Sequence, residues 1–406
     1  MPTTFNELSQ SQDLVNPRSV ALRSYARLLR GWQDGRLTLH YGKESITLGE
    51  GAQQCELTLY RPWATLARML MKGDIGFAQA YENGWIDTPD MAQFLLLARL
   101  NESAWHQEVG KATAFYRRWL QWYHQKRDNT AEGGSRKNIA AHYDLGNDFY
   151  KLWLDETLSY SAALFSHPDE PLVVAQKRKV TRLLDQLALR PEQSLLEIGC
   201  GWGELMQQAL DKQVKVTALT LSSEQQRLVQ QRLESTIESE HAAVLLQDYR
   251  HHHGQYDAIV SVEMFEAVGE KWWSVYFEKV ASLLKHGGRF AMQSISIHPS
   301  LFENYRKHPD FIQRYIFPGG MLPTPEKLLK LAEQAGLTLV DRLDFGQDYA
   351  LTLRRWQQSF ERQRPAIHEL GIDDQFYRRW HYYLAYCEAG FKAGSIDVHQ
   401  LTFVKH

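Results

Sequence analysis

Residues 195–204, LLEIGCGWGE, carry the densest chemical signal in this chain. Gly199, Gly201 and Gly203 fall where a short apolar run passes into helical spacing. Glycines at a strand-to-helix turn permit a tight reversal and let a ligand come close to backbone N–H groups. Glu197, at the end of the run, offers a carboxylate to a cationic ligand group. The next apolar stretch ends in Thr220-Leu221-Ser222, followed by Gln225. Dinucleotide-binding folds place an acid there for ribose hydroxyls. Here Thr220 and Gln225 offer neutral hydrogen bonds instead, and Ser222 can cap the next helix with Glu224 in its first turn. A third stretch ends in Gln247-Asp248-Tyr249. Asp248 can accept from an adenine amino group, and Tyr249 can pack on the ring. His251, His252 and His253 do not make a metal site, because three consecutive side chains do not converge on one ion. They read as a solvated loop. Cys200 reads as a packing residue, with no activating base within sequence reach.

These groups need a scaffold that brings strand ends together. From residue 137 onward helical and strand-like patterns alternate. A helix is expected through Glu170–Leu189, then strands at 194–199, 215–222, 242–249, 256–264 and 287–297. Helices separate them, running to about 211, over 223–239 and over Trp272–Leu284. Such a series predicts a mostly parallel, doubly wound sheet covered on both faces. After an insertion at 299–322 come a helix, the segment GLTLVDRLDFG and a final antiparallel strand in DVHQLTFVKH. Phe311, Tyr315, Phe317 and Met321, near the insertion, either line an apolar tunnel or belong to ordinary core. Trp272 and Trp273 read as core or rim.

The first hundred residues read as a separate α+β unit. Helical periodicity covers 19–31, 62–71 and 89–100, and strand-like alternation covers Arg36–Leu48 and Glu56–Tyr60. GDIGFAQAYENGWID lies between the later helices, punctuated by Gly73, Gly76 and Gly84. The expected division is 1–108, a basic aromatic helix with linker at 109–136, and 137–406. The stretch 109–127 carries Phe115, Tyr116, Trp119, Trp122 and Tyr123 among Arg117, Arg118, Lys126 and Arg127. It is either a connecting helix or a helix at a lipid surface, with rings at headgroup depth and cations on anionic lipid.

Composition narrows the function. With 46 basic and 48 acidic side chains the net charge is −2, which gives no bulk attraction to nucleic acid. Three cysteines far apart exclude a disulfide scaffold and a cysteine-rich zinc module, and suggest a reducing compartment. The N-terminus has no basic start followed by an apolar block, and no window is apolar enough to span a membrane. Aromatic residues make up 12% of the chain, which suits a large apolar cavity or a lipid interface.

The ExGxGxG pattern at Glu197–Gly203 is similar to the first motif of class I S-adenosylmethionine methyltransferases. It differs from the dinucleotide GxGxxG in spacing and in its leading acid. More specifically, the chain resembles the cyclopropane-fatty-acyl-phospholipid synthase and fatty-acid methyltransferase family. That resemblance rests on HYDLGNDFYKLWLDETLSYS (142–161), LLEIGCGWG, TLSSEQQ (220–226), LLQDYR (245–250), SVEMFEAVG (261–269), YIFPGGMLP (315–323) and DFGQDYALTLRRW (344–356). GDIGFAQAYENGWID is similar to the N-terminal lipid-handling domain of longer members. The resemblance implies an α/β class I methyltransferase fold, Rossmann-like, with a seven-stranded mostly parallel sheet and a smaller N-terminal α+β domain. It implies methyl transfer from S-adenosylmethionine to the double bond of an unsaturated acyl chain on membrane phospholipid. It implies an enzyme that is cytoplasmic and peripheral at the inner face of the membrane, and it suggests a homodimer. By the same resemblance Tyr160 and Ser161 approach the methionine end of the cofactor, Glu197, Gly199, Gly201 and Gly203 cradle it, Thr220 and Gln225 meet the ribose, and Asp248 and Tyr249 flank adenine.

An alkene is a feeble nucleophile, so it must be aligned with the sulfonium methyl in a dry site. The resulting chain cation can be stabilised by aromatic faces. Members of the family hold a bicarbonate ion as the base that removes the proton. Carried over residue by residue, their Glu and Tyr are Glu266 and Tyr349, which are the catalytic candidates, and the relevant backbone position is Ile295. The family's Cys is Ala162 here, its fifth-strand His is Gln293, and the His of FEHVG is Ala267. These departures fall on the ion site, so bicarbonate binding would be weakened. The product expected is a cyclopropane or, given Ala162 and Gln293, a methylated, methylene or furan-precursor chain. Glu263 is either a second acid of the site or a structural hydrogen-bond partner. Two rival readings are a methyltransferase for a soluble small molecule and a non-catalytic lipid-binding protein.

Overall fold

The computed structural model describes residues 18–102, 146–233 and 241–406. The basic aromatic stretch 109–127 and its linker lie outside these residues. The chain divides into two compact units, within Met1–Thr113 and within Ala114–His406.

The first unit holds a four-stranded sheet in the order β2-β1-β3-β4. Its strands are β1 (Asp34–Tyr41), β2 (Glu44–Leu48), β3 (Glu50–Leu59) and β4 (Ile86–Asp87). The alternation over 36–48 is therefore a hairpin rather than one strand, with Leu37 opposite Leu48 and Tyr41 opposite Glu44. β3 starts six residues earlier than its apolar pattern, because Glu50–Gln54 is exposed and shows no alternation. GDIGFAQAYENGWID forms a further helix, Asp74–Glu82, buried nearly all round. Gly76 sits inside it. A Cβ there would lie 2.2 Å from the Arg68 carbonyl oxygen, so this glycine permits close helix packing and does not break the helix.

The second unit is a seven-stranded sheet in the order β10-β11-β9-β8-β5-β6-β7. Its strands are β5 (Ser194–Ile198), β6 (Lys215–Thr220), β7 (Ala242–Leu246), β8 (Tyr256–Val262), β9 (Leu284–Ile297), β10 (Leu337–Asp344) and β11 (Ile396–Lys405). Only β11 runs against the others, inserted between β9 and β10. The central strands are short apolar runs because helices cover both faces. Two cores result. One packs Phe265, Tyr276, Phe277 and Phe290; the other packs Leu183, Leu195, Met206 and Val229. β5 lies between β6 and β8, where strand order reverses, and open α/β sheets bind ligands at the carboxyl ends of strands at such a point.

Between β10 and β11 the chain forms three helices that the strand series did not anticipate: Gly346–Arg362, Arg364–Glu369 and Asp374–Lys392. Tyr349, Leu353, Trp356 and Phe360 make one apolar stripe at helical spacing, and Tyr377, Trp380 and Leu384 make another. Together with Phe149, Tyr150 and Trp153 they build an aromatic cluster. In it Phe149 and Trp380 meet edge to face at 5.1 Å, and Trp153 and Trp356 at 5.7 Å.

The insertion 299–322 carries two helices, Pro299–Lys307 and Phe311–Tyr315. Phe311 and Met321 are buried, with Phe311 against Tyr382 at 4.8 Å. Trp273 is core, and Trp272 carries the cations of Arg250 and Lys271 over its ring. Among the described residues no helix is long and apolar enough to cross a membrane.

Candidate active site

The glycine turn leaves β5 with Gly199, Gly201 and Gly203 all at positive φ. Gly199 also abuts Met264, where a Cβ would stand 3.2 Å from the Met264 side chain. The turn therefore touches the loop that carries Glu263 and Glu266. Gly203 makes room for Val229, 3.1 Å from where its Cβ would be, and so serves packing. The N–H groups of Gly199 and Cys200 both donate to the Leu219 carbonyl, which ties the turn to β6. A Cβ on Gly201 would meet open space. Cys200 is buried, and burial pushes its thiol well up, so it stays protonated.

Glu197 is buried at the end of β5, and its Oε2 meets no hydrogen-bond partner among the described residues. Burial alone pushes its carboxyl well above the usual range. A buried carboxylate oxygen without a partner is costly unless a ligand satisfies it. Thr220 and Gln225 meet each other, the Thr220 hydroxyl donating to Gln225 Oε1 at 2.8 Å. Ser222 Oγ accepts from the Gln225 N–H, so it caps the helix Ser223–Leu233 as its position suggests. Asp248 accepts from the backbone and Nε of Arg250, both at 3.0 Å, and from its Nη2 at 2.6 Å. Burial raises the Asp248 carboxyl, but these bonds more than offset it and hold the group below its ordinary value. An adenine amino group would thus meet a carboxylate already paired. Tyr249 packs edge to face on Tyr276 at 5.3 Å. The three histidines are not one solvated loop: His252 is buried between Gln247 and Tyr256, at 2.9 and 2.8 Å, while its neighbours are exposed.

The other half of the site converges on Glu263. Its Oε1 accepts from the Ala162 N–H at 2.8 Å and from the Gln293 amide at 2.7 Å. Its Oε2 accepts from the Tyr349 hydroxyl at 2.7 Å. Gln293 is held in turn by Gln400, whose amide donates to Gln293 Oε1 at 3.0 Å across the β9–β11 pair. Tyr349 is stacked on Phe391 at 4.4 Å. Glu263 follows β8 directly and has φ +48°, a left-handed conformation unusual for a side chain of its kind.

Glu266 lies on the next turn. Its Oε1 accepts from the Ser294 hydroxyl at 3.0 Å and from the Ile295 N–H, while its Oε2 is buried without a partner among the described residues. Burial first, and then the neighbouring Glu263, push its carboxyl up to about 8. Glu263 is also raised by burial, but the bonds from Ala162, Gln293 and Tyr349, with the nearby Lys179 charge, pull it back. The arrangement favours a proton on Glu266 and a charge on Glu263. Of the two catalytic candidates, Tyr349 sends its hydroxyl to Glu263 and not to Glu266.

Tyr160 donates to or accepts from Tyr383 at 2.7 Å, and its ring lies 5.4 Å from Trp356. Ser161 Oγ accepts from Lys179 at 2.6 Å. Lys179 was not anticipated. It interrupts the buried stripe Ala175, Gln176, Val180, Leu183 and Leu187 of the helix Leu172–Leu187, and that interruption was its only signal. Burial lowers its ammonium to about 8, against the pull of Glu263, Asp155 and Glu204.

Residues 131–401 match the family model described as mycolic acid cyclopropane synthetase. A tuberculostearic acid methyltransferase from Mycobacterium tuberculosis is 36% identical over 91% of this chain and 88% of its own length. The cyclopropane-fatty-acyl-phospholipid synthase of Escherichia coli is 33% identical over 83% of this chain and 84% of its own. A solved structure of the mycolic acid cyclopropane synthase CmaA1, complexed with SAH and CTAB, superposes with a TM-score of 0.63 at 33% identity. It covers 66% of this chain and 98% of that one.

Proposed function

The chain belongs to the mycolic acid cyclopropane synthetase family, and we propose that it modifies the double bond of an unsaturated acyl chain carried on membrane phospholipid. It is an S-adenosylmethionine-dependent methyltransferase of fatty acyl chains. Its reading as a phospholipid enzyme draws on the Escherichia coli relative, and its product is read as a methylene- or methyl-branched chain in preference to a ring. It would meet its substrate as a peripheral protein at the membrane surface.

The observation that carries this reading is the partly buried acid pair Glu263 and Glu266, with Tyr349, set against the glycine turn through Met264. Bound S-adenosylmethionine supplies an electrophilic methyl group. The partnerless Glu197 oxygen and the open space at Gly201 fit a ligand with a cationic group. Thr220 and Gln225 offer neutral polar atoms beside that space. Tyr160, Tyr349 and Trp356 present aromatic faces that stabilise a chain cation without trapping it. Burial of the acid pair keeps water from that cation.

Incubation with methyl-labelled S-adenosylmethionine and vesicles of unsaturated phospholipid tests the reading. Label is expected in the acyl chains, and NMR of the product is expected to show a branch or an exocyclic methylene. A cyclopropane as sole product would remove the product part of the proposal. Label only in free acyl substrates would remove the phospholipid part.

A further inference from the structure

We propose that Glu263 is the catalytic base of this enzyme, a carboxylate built into the chain that accepts the proton from the methylated acyl chain, so that no bound bicarbonate is required. The inference rests on the alkene-methylation reading above.

Three donors from three distant segments converge on Glu263: the Ala162 N–H, the Gln293 amide and the Tyr349 hydroxyl. Each belongs to a position that the family resemblance assigns to the ion site. They are already spent on a side-chain carboxylate, which leaves none of these three free for a second anion. Electrostatics argue the same way. An added anion would sit beside the Glu263 carboxylate in a partly buried site, and like charges at close range there repel strongly.

The backbone supports a role beyond packing. Glu263 holds a left-handed φ of +48° that any residue but glycine adopts at a cost of about 1–2 kcal/mol. Strain of this kind persists where the surroundings over-determine it, and it clusters at active sites. The chemistry also has room to proceed. Oε1 takes two donors and Oε2 takes one, so Oε2 keeps a lone pair for an incoming proton. Glu263 also keeps some accessible surface, unlike Gln293 behind it.

The step balances without an oxidant or reductant. The alkene π pair forms the new carbon–methyl bond, and the sulfur–methyl pair returns to sulfur, leaving a positive chain carbon. The hydrogen on the methylated carbon then shifts with its electron pair to the positive carbon, which moves the charge to the branch point. A C–H bond of the new methyl group breaks, its electron pair makes the double bond to the branch carbon and quenches the cation, and the proton goes to Glu263 Oε2. Tyr349 and Gln293 are positioning residues, which hold the carboxylate with Oε2 toward the chain.

The test measures acyl-chain labelling by the full-length enzyme in buffer purged of bicarbonate, for wild type, Glu263→Gln and Glu263→Ala. S-adenosylhomocysteine affinity is measured alongside by calorimetry. Purging is expected to change wild-type turnover by less than twofold. Glu263→Gln is expected to lose at least ~100-fold in turnover, the usual size of a general-base contribution, with affinity for S-adenosylhomocysteine unchanged. Glu263→Ala is expected to regain at least tenfold when bicarbonate or formate is added, because the three donors remain. A wild type that falls more than tenfold on purging would overturn the proposal. So would a Glu263→Gln enzyme within threefold of wild type, or a folded Glu263→Ala enzyme indifferent to both anions. If Glu263→Ala does not fold, the purging experiment and Glu263→Gln decide. No label from wild type under any condition would instead reject the alkene-methylation reading itself.

Discussion

Thr220 and Gln225 stand five residues apart and bond each other, and Asp248 is paired by Arg250 two residues on. The donors of Glu263 come from 101, 30 and 86 residues away. The proposed cofactor side of this site is thus made of local turns at strand ends, while the proposed base side is made of contacts among β8, β9, the 161–165 segment and the helix Gly346–Arg362. That segment is stitched to the helix twice more, by Ala163 N–H to Thr352 and by Phe165 N–H to Asp348. Local turns tolerate change one residue at a time. A convergent centre does not, because each donor fixes the others. Binding and turnover should therefore separate by mutation.

Tyr349→Phe tests that separation most strongly after Glu263 itself. It deletes one hydrogen bond to a buried charge, worth about 1.5–3 kcal/mol. Turnover is expected to fall by roughly 10- to 100-fold in steady-state labelling, with S-adenosylhomocysteine affinity unchanged. A matching loss in affinity would break the comparison, since the two sides would then be one.

Glu197→Gln is the converse. It removes the charge but keeps the shape, and S-adenosylmethionine binding measured by calorimetry should weaken by roughly 10- to 30-fold, in line with a charge-assisted hydrogen bond. Single-turnover rates at saturating cofactor should change little.

Thr220→Val should weaken binding by only about fivefold, the value of a neutral hydrogen bond near 1 kcal/mol. A larger loss in turnover than in affinity would show that the cofactor side is coupled to the base.

The last prediction concerns stability and leaves the contrast between binding and turnover untouched. The Glu266 carboxyl is raised to about 8 in the folded chain, above its ordinary value of 4.5. The folded state therefore holds a proton that the unfolded state has released, and the stabilisation is fully present below about 4.5 and lost as pH rises through about 8. Denaturation of wild type and Glu266→Gln between pH 5 and pH 9 should show wild type losing up to about 4 kcal/mol relative to the variant, at about 1.4 kcal/mol per pH unit between the two values. A constant difference would mean that Glu266 is ionised throughout.

The local geometry of the proposed cofactor side was legible in the chain. Strand, glycine turn and helix follow one another in LLEIGCGWGE, and Ser222 caps its helix where a hydroxyl before a helical pattern should. The parallel series and the antiparallel last strand also followed from the order of apolar runs. The residues between β10 and β11 were harder to read, because their aromatic stripes lie on two helices that make sense only packed on each other. Glu263 stood in plain view beside Glu266, yet nothing in its neighbours separated an acid of the site from a hydrogen-bond partner. Lys179 was hidden inside an apolar stripe.

The amino-acid sequence by itself determined the elements, their order and the residue types at each strand end, because periodicity, capping and turn chemistry act over a few residues. Tertiary structure alone decided which carboxylate receives Ala162, Gln293 and Tyr349. Hydrogen-bond partnership depends on distance and direction among segments 30 to 101 residues apart, and those are set only when the sheet and the helices over it have packed.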